Sequence, residues 1–483
     1  MTDSNLLRLA YVAESTIGTT PGSPAMKNIR VTGESLDYSI DTIRSEEIRT
    51  DRLTPDLIQT SARVNGGFNF EWSYGAFDDF IEGAMFSTWL STPERNNNGV
   101  ADSVITQVTD STDTFTVASG GASFVAGHLI RNSGFASAAN NGLFRVSSST
   151  ATTIVVGGTP TLTDEAAPAA AARIKVVGFR GASGDITATA SGLGSTALNF
   201  TTLGLYVGQW IKIGGSTAGE QFATAADNGW ARITAIAATA LTLDNLPTGW
   251  ATDSGTSKTI TVYVGDIIKV GTTKKSYSVE KVLLGQSVPA YLMYRGLMVN
   301  TVNLNFQAGN VLSGSFDFLG MSSTISGSGA GASYTDVASN DVMNSVSDMG
   351  RVAEGGSAVG TPNFITQMAV TINNSLREKT AIGTFGLVDV GAGDSNISGQ
   401  ITTYFGSDAL LQKFINNTAS SINMRVQKSN KANVFTFPRV KFSSSRVVAG
   451  SRNSDVLVEL GFQALRDTAT GNQFQIDRFE EFA

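Results

Sequence analysis

The chain writes one short pattern twice. Val64, Phe68, Phe70 and Trp72 share one parity, and Phe77, Phe80 and Ile81 follow at helical spacing; Ile397, Ile401 and Phe405 repeat the first part, and Leu410, Phe414 and Ile415 the second. Alternate residues of a strand point to one face, whereas a helix gathers positions i, i+3 and i+4. Each copy therefore predicts a strand with one buried face running into a short helix with an apolar stripe. What comes next is also doubled. Val299, Val302, Leu304 and Phe306 lead to the turn Gln307-Ala308-Gly309-Asn310 and a returning strand through Phe316 and Phe318; Val440, Phe442, Val447 and Val448 lead to the turn Ala449 to Asn453 and a return through Phe462. Both read as β-hairpins. Two copies of one small module in one polypeptide point to a repeating assembly.

A second, independent duplication fills the middle. Ala138-Ala139-Asn140-Asn141-Gly142-Leu143-Phe144-Arg145-Val146 matches Ala225-Ala226-Asp227-Asn228-Gly229-Trp230-Ala231-Arg232-Ile233, and the match runs without a gap to Val177-Gly178 against Val264-Gly265. Upstream, Gly127-His128-Leu129-Ile130-Arg131 pairs with Gly208-Gln209-Trp210-Ile211-Lys212. These are two small β-domains inserted into the first copy of the module, with Asn141-Gly142 and Asn228-Gly229 expected as tight turns. The Ser/Gly/Ala-rich run Ser322 to Ser333 reads as a flexible linker. The resulting division is 1–100 with 266–325, an insertion at 101–265 (about 101–180 and 181–265), a linker at 326–344 and a second module at 345–483. The arm Leu6 to Pro24 has few periodic signals and reads as a frayed terminus or a strap across a neighbour.

Composition limits the chemistry. With no Cys among 483 residues, thiolate nucleophiles, thiolate metal sites and disulfides are excluded. The sole histidine, His128, stands where its repeat twin carries Gln209, which argues for a surface or partly packed residue and against catalysis. Asp78 and Asp79 sit where acids favour a helix N-terminus. Glycine segments such as Ser119-Gly120-Gly121 lack the Lys and strand-to-helix setting of a phosphate loop. No enzymatic site, metal or cofactor is expected. A net charge of -7 weighs against tight nucleic-acid binding, which needs clustered Lys and Arg. No stretch approaches the roughly twenty apolar residues of a membrane span, and no signal peptide is read at the start.

The order of Ala13 to Pro21, Ile29 to Leu36, the strand and helix of Phe68 to Ile81, and Gly314-Ser315-Phe316-Asp317-Phe318-Leu319-Gly320 resembles the major tail tube proteins of long-tailed bacteriophages. The resemblance covers about 1–100 and 270–325; residues from about 345 follow the plan more loosely, and the insertion lies outside it. It implies a mainly β fold: two tandem tail-tube-type β-sandwich or half-barrel domains, each with one short flanking helix, plus the inserted pair. In that family the inner sheets of neighbours join into a barrel around a lumen, and rings stack. A chain with two such domains is expected to form trimeric, pseudo-hexameric rings in a non-contractile, siphovirus-type tail. The tape measure, terminator and distal tail proteins are the expected partners, and DNA passes transiently and without specificity. Assembly in the virion tail would follow synthesis in the host cytoplasm.

Two surfaces follow from this reading. Alternation places Asn303, Asn305 and Gln307 opposite the apolar Val302, Leu304 and Phe306, hence toward a polar lumen. The charge-dense stretch Asp41 to Arg63 contains Arg44, Glu46, Glu47, Arg49, Asp51 and Arg52. By charge alone it reads as a solvated hairpin; the resemblance makes it the inter-ring contact, where mixed charges set register more than affinity. The competing reading is a capsid-decorating or virion-surface adhesion protein with a glycan-binding insertion, in which Trp210, Trp230 and Trp250 would form an aromatic shelf. Replacement of Trp210 and Trp230 by Leu in the sister repeat favours core packing instead.

Overall fold

The computed structural model of the chain describes residues 3–99, 104–158, 160–360 and 362–482, so the boundary expected between 100 and 101 lies outside the described residues. Strands dominate, with two α-helices among these residues. In the first half, β1 (Leu7–Ala13), β2 (Asp37–Arg44), β3 (Leu57–Glu71) and helix α1 (Asp78–Met85) precede the insertion. After it come β4 (Tyr277–Leu283), β5 (Tyr291–Gln307), β6 (Ser313–Gly320) and β7 (Ser322–Ser326). The second half runs β8 (Met349–Glu354), β9 (Ile365–Asn373), β10 (Asn396–Tyr404), helix α2 (Ala409–Ile415), β11 (Ser420–Lys428), β12 (Lys431–Ala449), β13 (Val456–Ala464) and β14 (Gln475–Phe479).

The pairings repeat with the elements. β1 pairs with β4, β2 with β3, β3 with β6, and β5 with β4, β6 and β7, all antiparallel. Adding seven to every label gives the pairings of the second half. The long strands β5 and β12 create two layers in each half, because each serves one sheet with its first part and another with its second. Gly296 lies near the bend of β5 with φ +67, and a Cβ there would meet the Met321 side chain at 2.7 Å. Pro438 sits near the corresponding change of partner in β12, a place where a missing N–H costs no regular ladder bond.

Period-two burial fills the space between layers. Val64, Phe68, Phe70 and Trp72 are all buried, as are Val302, Leu304 and Phe306. From α1, Phe80 is fully enclosed, with ring centroids 4.5 Å from Tyr11, 5.2 Å from Phe68 and 5.0 Å from Tyr277. Burying such a ring is worth roughly 1.5–3 kcal/mol by area. Trp72 meets Phe435 at 5.2 Å, so the apolar cluster is continuous from the first half into the second. Helix α2 is less embedded. Leu410 and Phe414 pack against the core, but Ile415 is 62% exposed and Phe405 39% exposed, contrary to the stripe and parity expected for them.

Three local expectations are corrected. The arm from Leu6 to Pro24 is neither frayed nor detached: it contains β1, and the Glu14 carboxylate accepts from Gly18 N, Gly296 N, Ser276 Oγ and Ser278 Oγ. The Ser322 to Ser333 run is no free linker, since its start is β7, while Ser333–Asp336 pairs in parallel with Ala25–Asn28. Asn141 and Asn228 make no hairpin turn; both have negative φ. Instead, each side chain closes the loop before it, Asn141 through Phe135 N and O and Ser137 O, Asn228 through Phe222 N and O and Thr224 O.

The insertion forms one sheet whose strand order, apart from the short strand Glu165–Ala166 at one end, is the same from either end. The first copy contributes Ile105–Thr109, Thr114–Val117, Thr153–Gly157, Gly142–Ser149, His128–Ser133 and Arg173–Arg180. The order then continues through Thr261–Val264, Trp210–Ile213, Trp230–Ile236, Ala240–Asp244, Gly192–Gly194 and Thr187–Thr189. Equivalent strands Arg173–Arg180 and Thr261–Val264 pair at the centre, antiparallel, so the copies are related by a pseudo-two-fold. Each copy has its own apolar cluster.

Candidate assembly edges and open sheet face

Following hydrogen-bonded neighbours through the inner layer gives one antiparallel arc, β2-β3-β6-β5-β9-β10-β13-β12. Its centre is the joint between the halves, where Thr301 to Gln307 of β5 face Asn373 to Gln367 of β9. One face of the arc is the core. Across the other runs a row of mostly polar residues in register, Asn69, Ser315, Asn303, Thr371, Ser398, Gln463 and Lys441, one from each strand from β3 to β12.

The residues expected on a lumen lie on this open face. Asn303 donates to Ser315 Oγ at 3.2 Å and accepts from Thr371 Oγ1 at 2.9 Å. Asn305 accepts from Gln367 Nε2 at 3.0 Å, and Gln307 is exposed at the strand end. Amide and hydroxyl ladders of this kind satisfy one another across strands without fixed charge.

The arc ends on two strands that are each paired on one side only. Among the described residues, β2 pairs with β3 alone, and the Lys441 to Ala449 part of β12 pairs with β13 alone. Open ladders are templates for another chain.

The β2–β3 hairpin carries the charged loop. Arg44, Glu46, Glu47, Arg49, Asp51 and Arg52 are all exposed, and Arg49 pairs with Asp51 two residues away at 2.8 Å. That pair holds the Asp51 carboxyl below its ordinary value. At the base, Arg63 bridges Asp41 and, at 3.2 Å, Glu378 from the matching hairpin of the second half. Counting charges misses the aliphatic residues among them: Ile43, Ile48, Leu53, Leu57 and Ile58 are exposed, Ile48 at 99%. The second-half hairpin exposes Ile382, Phe385 and Val388. Their alternation with charged residues was the available signal.

The remaining chemistry-bearing residues are structural. Asp78 and Asp79 do open α1, but they are also anchors: Asp78 pairs with Arg478 of β14, and Asp79 accepts from Tyr11 Oη at 2.8 Å and Lys27 Nζ at 2.7 Å. His128 is buried, not at the surface, between the inserted copies. Its Nδ1 accepts from Val125 N at 3.2 Å, which leaves the Nε2–H to donate to Leu203 O at 3.3 Å. Burial pushes its pKa down to about 4.

The tryptophan shelf is not formed. Trp210, Trp230, Leu129 and Leu143, the repeat-equivalent set, converge on one cluster with Val434 and Phe479 of the second half. Trp210 Nε1 donates to Thr436 Oγ1 at 2.8 Å, Trp230 lies edge-on to Phe479 at 4.7 Å, and half-buried Trp250 donates to Thr189 O at 2.8 Å. Nearby, Trp210 N donates to Asp477 Oδ1 at 3.0 Å, and full burial pushes the Asp477 carboxyl up to about 7. Among the described residues no group of three or more His, Cys, Asp or Glu is placed to hold a metal ion, and no helix is long and apolar enough to cross a membrane.

Such an arc, polar on one face and open at both ends, defines a class of β-protein suited to edge-to-edge assembly. The family model described as phage tail tube protein matches residues 4–235 and again 176–464, and the chain belongs to that family. It is a structural component of the virion tail. No curated protein matches the chain significantly.

Proposed function

We propose that three chains close into a ring by pairing the β12 edge of one with the β2 edge of the next, and that such rings stack into the tail tube. The observation that carries this reading is the β5–β9 joint. Under the correspondence that adds seven to each label, β5 becomes β12 and β9 becomes the β2 of a following chain, so the seam within one chain is the template for the seam between chains. Each ring is then pseudo-hexameric. The open face, with Asn303, Asn305 and Gln307, lines the lumen, where a surface mostly of amides and hydroxyls lets DNA slide without the clustered cations that would hold it.

In this reading the β2–β3 hairpin reaches the adjacent ring. Ile48 and Leu53 supply apolar burial there, while Arg44, Glu46, Glu47, Arg49, Asp51 and Arg52 set orientation. Residues 1–100 with 266–325, and 345–483, act as the two tube domains, and the 101–265 insertion lies on the exterior of a non-contractile tail. Tape measure, terminator and distal tail proteins are its partners. Cryo-microscopy of assembled tubes tests the stoichiometry: three chains per ring are expected, and six would overturn the proposal.

A further inference from the structure

The seam between the second inserted copy and the second half contains a cavity of about 510 Å³, bounded by Trp230, Leu246 and Pro247 on one side and by Arg351, Gly356 and Arg425 on the other. Among the described residues its two cations, like the half-buried Arg30, Arg145 and Arg295, meet no carboxylate. Arg173, Arg180, Arg232 and Arg478, which are also half-buried or deeper, each meet a carboxylate. Among the described residues, neither Arg351 nor Arg425 forms an ion pair. Asp244 is the nearest acid influence on Arg351, but it is engaged by Arg232 and by Asn245 Nδ2 at 3.0 Å. The one carboxylate that acts on Arg351 is thus already committed to another guanidinium.

Their hydrogen bonds leave donors over. Arg425 gives Nε to Gln427 Oε1 at 3.0 Å and Nη2 to Gly350 O at 3.2 Å, with its plane 4.6 Å from the Trp230 ring centroid. Arg351 gives Nη2 to Gly356 O at 2.6 Å and, at 3.5 Å, Nη1 to Asn245 O, while its buried Nε meets no acceptor. A buried guanidinium N–H without a partner costs free energy that an anion would recover. Burial, with the Arg351 charge second, pushes the Arg425 pKa down to about 10, the direction expected of a cation lacking its counter-charge.

We propose that this seam binds an oxyanion, held by the Arg351 and Arg425 guanidiniums beside the apolar wall of Trp230 and Pro247. Guanidinium forks match the geometry of carboxylate and phosphate oxygens. Two sources share that chemistry, a phosphate group and the carboxylate of an acidic sugar. Since Arg351 lies on β8 and Trp230 in the insertion, a bound anion would also tie these two bodies together.

Isothermal titration of the full unassembled chain with inorganic phosphate and, separately, with glucuronate tests this. Binding of at least one is expected, with Arg351→Gln and Arg425→Gln each weakening it by about tenfold or more, as loss of a charge-assisted bond does. Binding of phosphate alone assigns a phosphate group, of glucuronate alone an acidic sugar, and of both a general oxyanion site; each supports the proposal. Arg425→Lys keeps the charge near Trp230 and serves if Arg425→Gln does not fold. Absence of binding by the unaltered chain up to about 10 mM of either probe overturns the proposal. So does binding that both variants retain in full.

Discussion

His128 and Gln209, equivalent positions in the two inserted copies, make the same pair of bonds: each accepts from the backbone N–H three residues earlier, Val125 or Tyr206, and each donates to a backbone carbonyl, Leu203 or Gly265. Glutamine reproduces the neutral Nε2–H imidazole, with its carbonyl oxygen in place of Nδ1 and its amide in place of Nε2.

His128→Gln should therefore fold normally and remove a pH dependence. The folded pKa is lowered to about 4, so below 6.5 the unfolded chain takes up a proton that the folded chain refuses. Stability contributed by this site is full above pH 6.5 and falls between 6.5 and about 4, by about 3 kcal/mol. Chemical denaturation at pH 7 and pH 4.5 checks it: the variant should lose less stability between these conditions than the parent chain.

Asp477 works in the opposite direction. Its folded pKa is raised to about 7, so the folded chain holds a proton that the unfolded chain releases from about pH 4 upward. The associated stability is full at low pH and is lost as pH rises through 7. Asp477→Asn keeps an acceptor for Trp210 N and removes the buried charge. Its melting temperature should exceed that of the parent at pH 8 and converge with it near pH 4.

Proline tests the open edge of β12. In an antiparallel ladder, successive residues alternate between an N–H aimed at the partner and one aimed away. Of Val447→Pro and Val448→Pro, one should therefore leave the monomer folded while abolishing ring formation, and the other should also weaken the β12–β13 hairpin. Electron microscopy with thermal melts reads both. Normal tubes from both variants would remove the edge from the assembly.

Ile48→Asp with Leu53→Asp alters side chains that touch little within one chain. Monomer stability should change by no more than about 0.5 kcal/mol, as for other exposed positions. Tube length, measured on negatively stained assemblies, should shorten severely. An Arg49→Glu and Arg52→Glu pair should shorten tubes less, because exposed ion pairs are worth about 0–1 kcal/mol each.

Burial in the repeated module was legible because it is local and periodic: Phe68, Phe70, Val302 and Leu304 declare their face every second residue, and Asn303 and Asn305 take the other by default. Contacts between distant segments were not. β1 lacks a pattern of its own and is held by β4, far along the chain. The Ser-rich β7 has the composition of a linker, yet its backbone pairs with β5, and backbone bonds do not depend on apolar side chains. Trp210 and Trp230 pack in a core cluster, as the Leu residues of the sister repeat imply. Their packing partner, Phe479 of β14, carries no mark in the repeat. At the hairpin tip, attention to charge hid Ile48 and Leu53, which only exposure in the fold separates from core residues.

The β5–β9 joint closes as soon as the polypeptide folds, so its occupancy is indifferent to how many other molecules are present. In the proposed ring the β2 and β12 rims, by contrast, need a second molecule and answer to mass action. Dilution, crowding or scarcity therefore acts on only one of the two kinds of seam. A dissociated particle would come apart into whole double-lobed chains, never into single lobes.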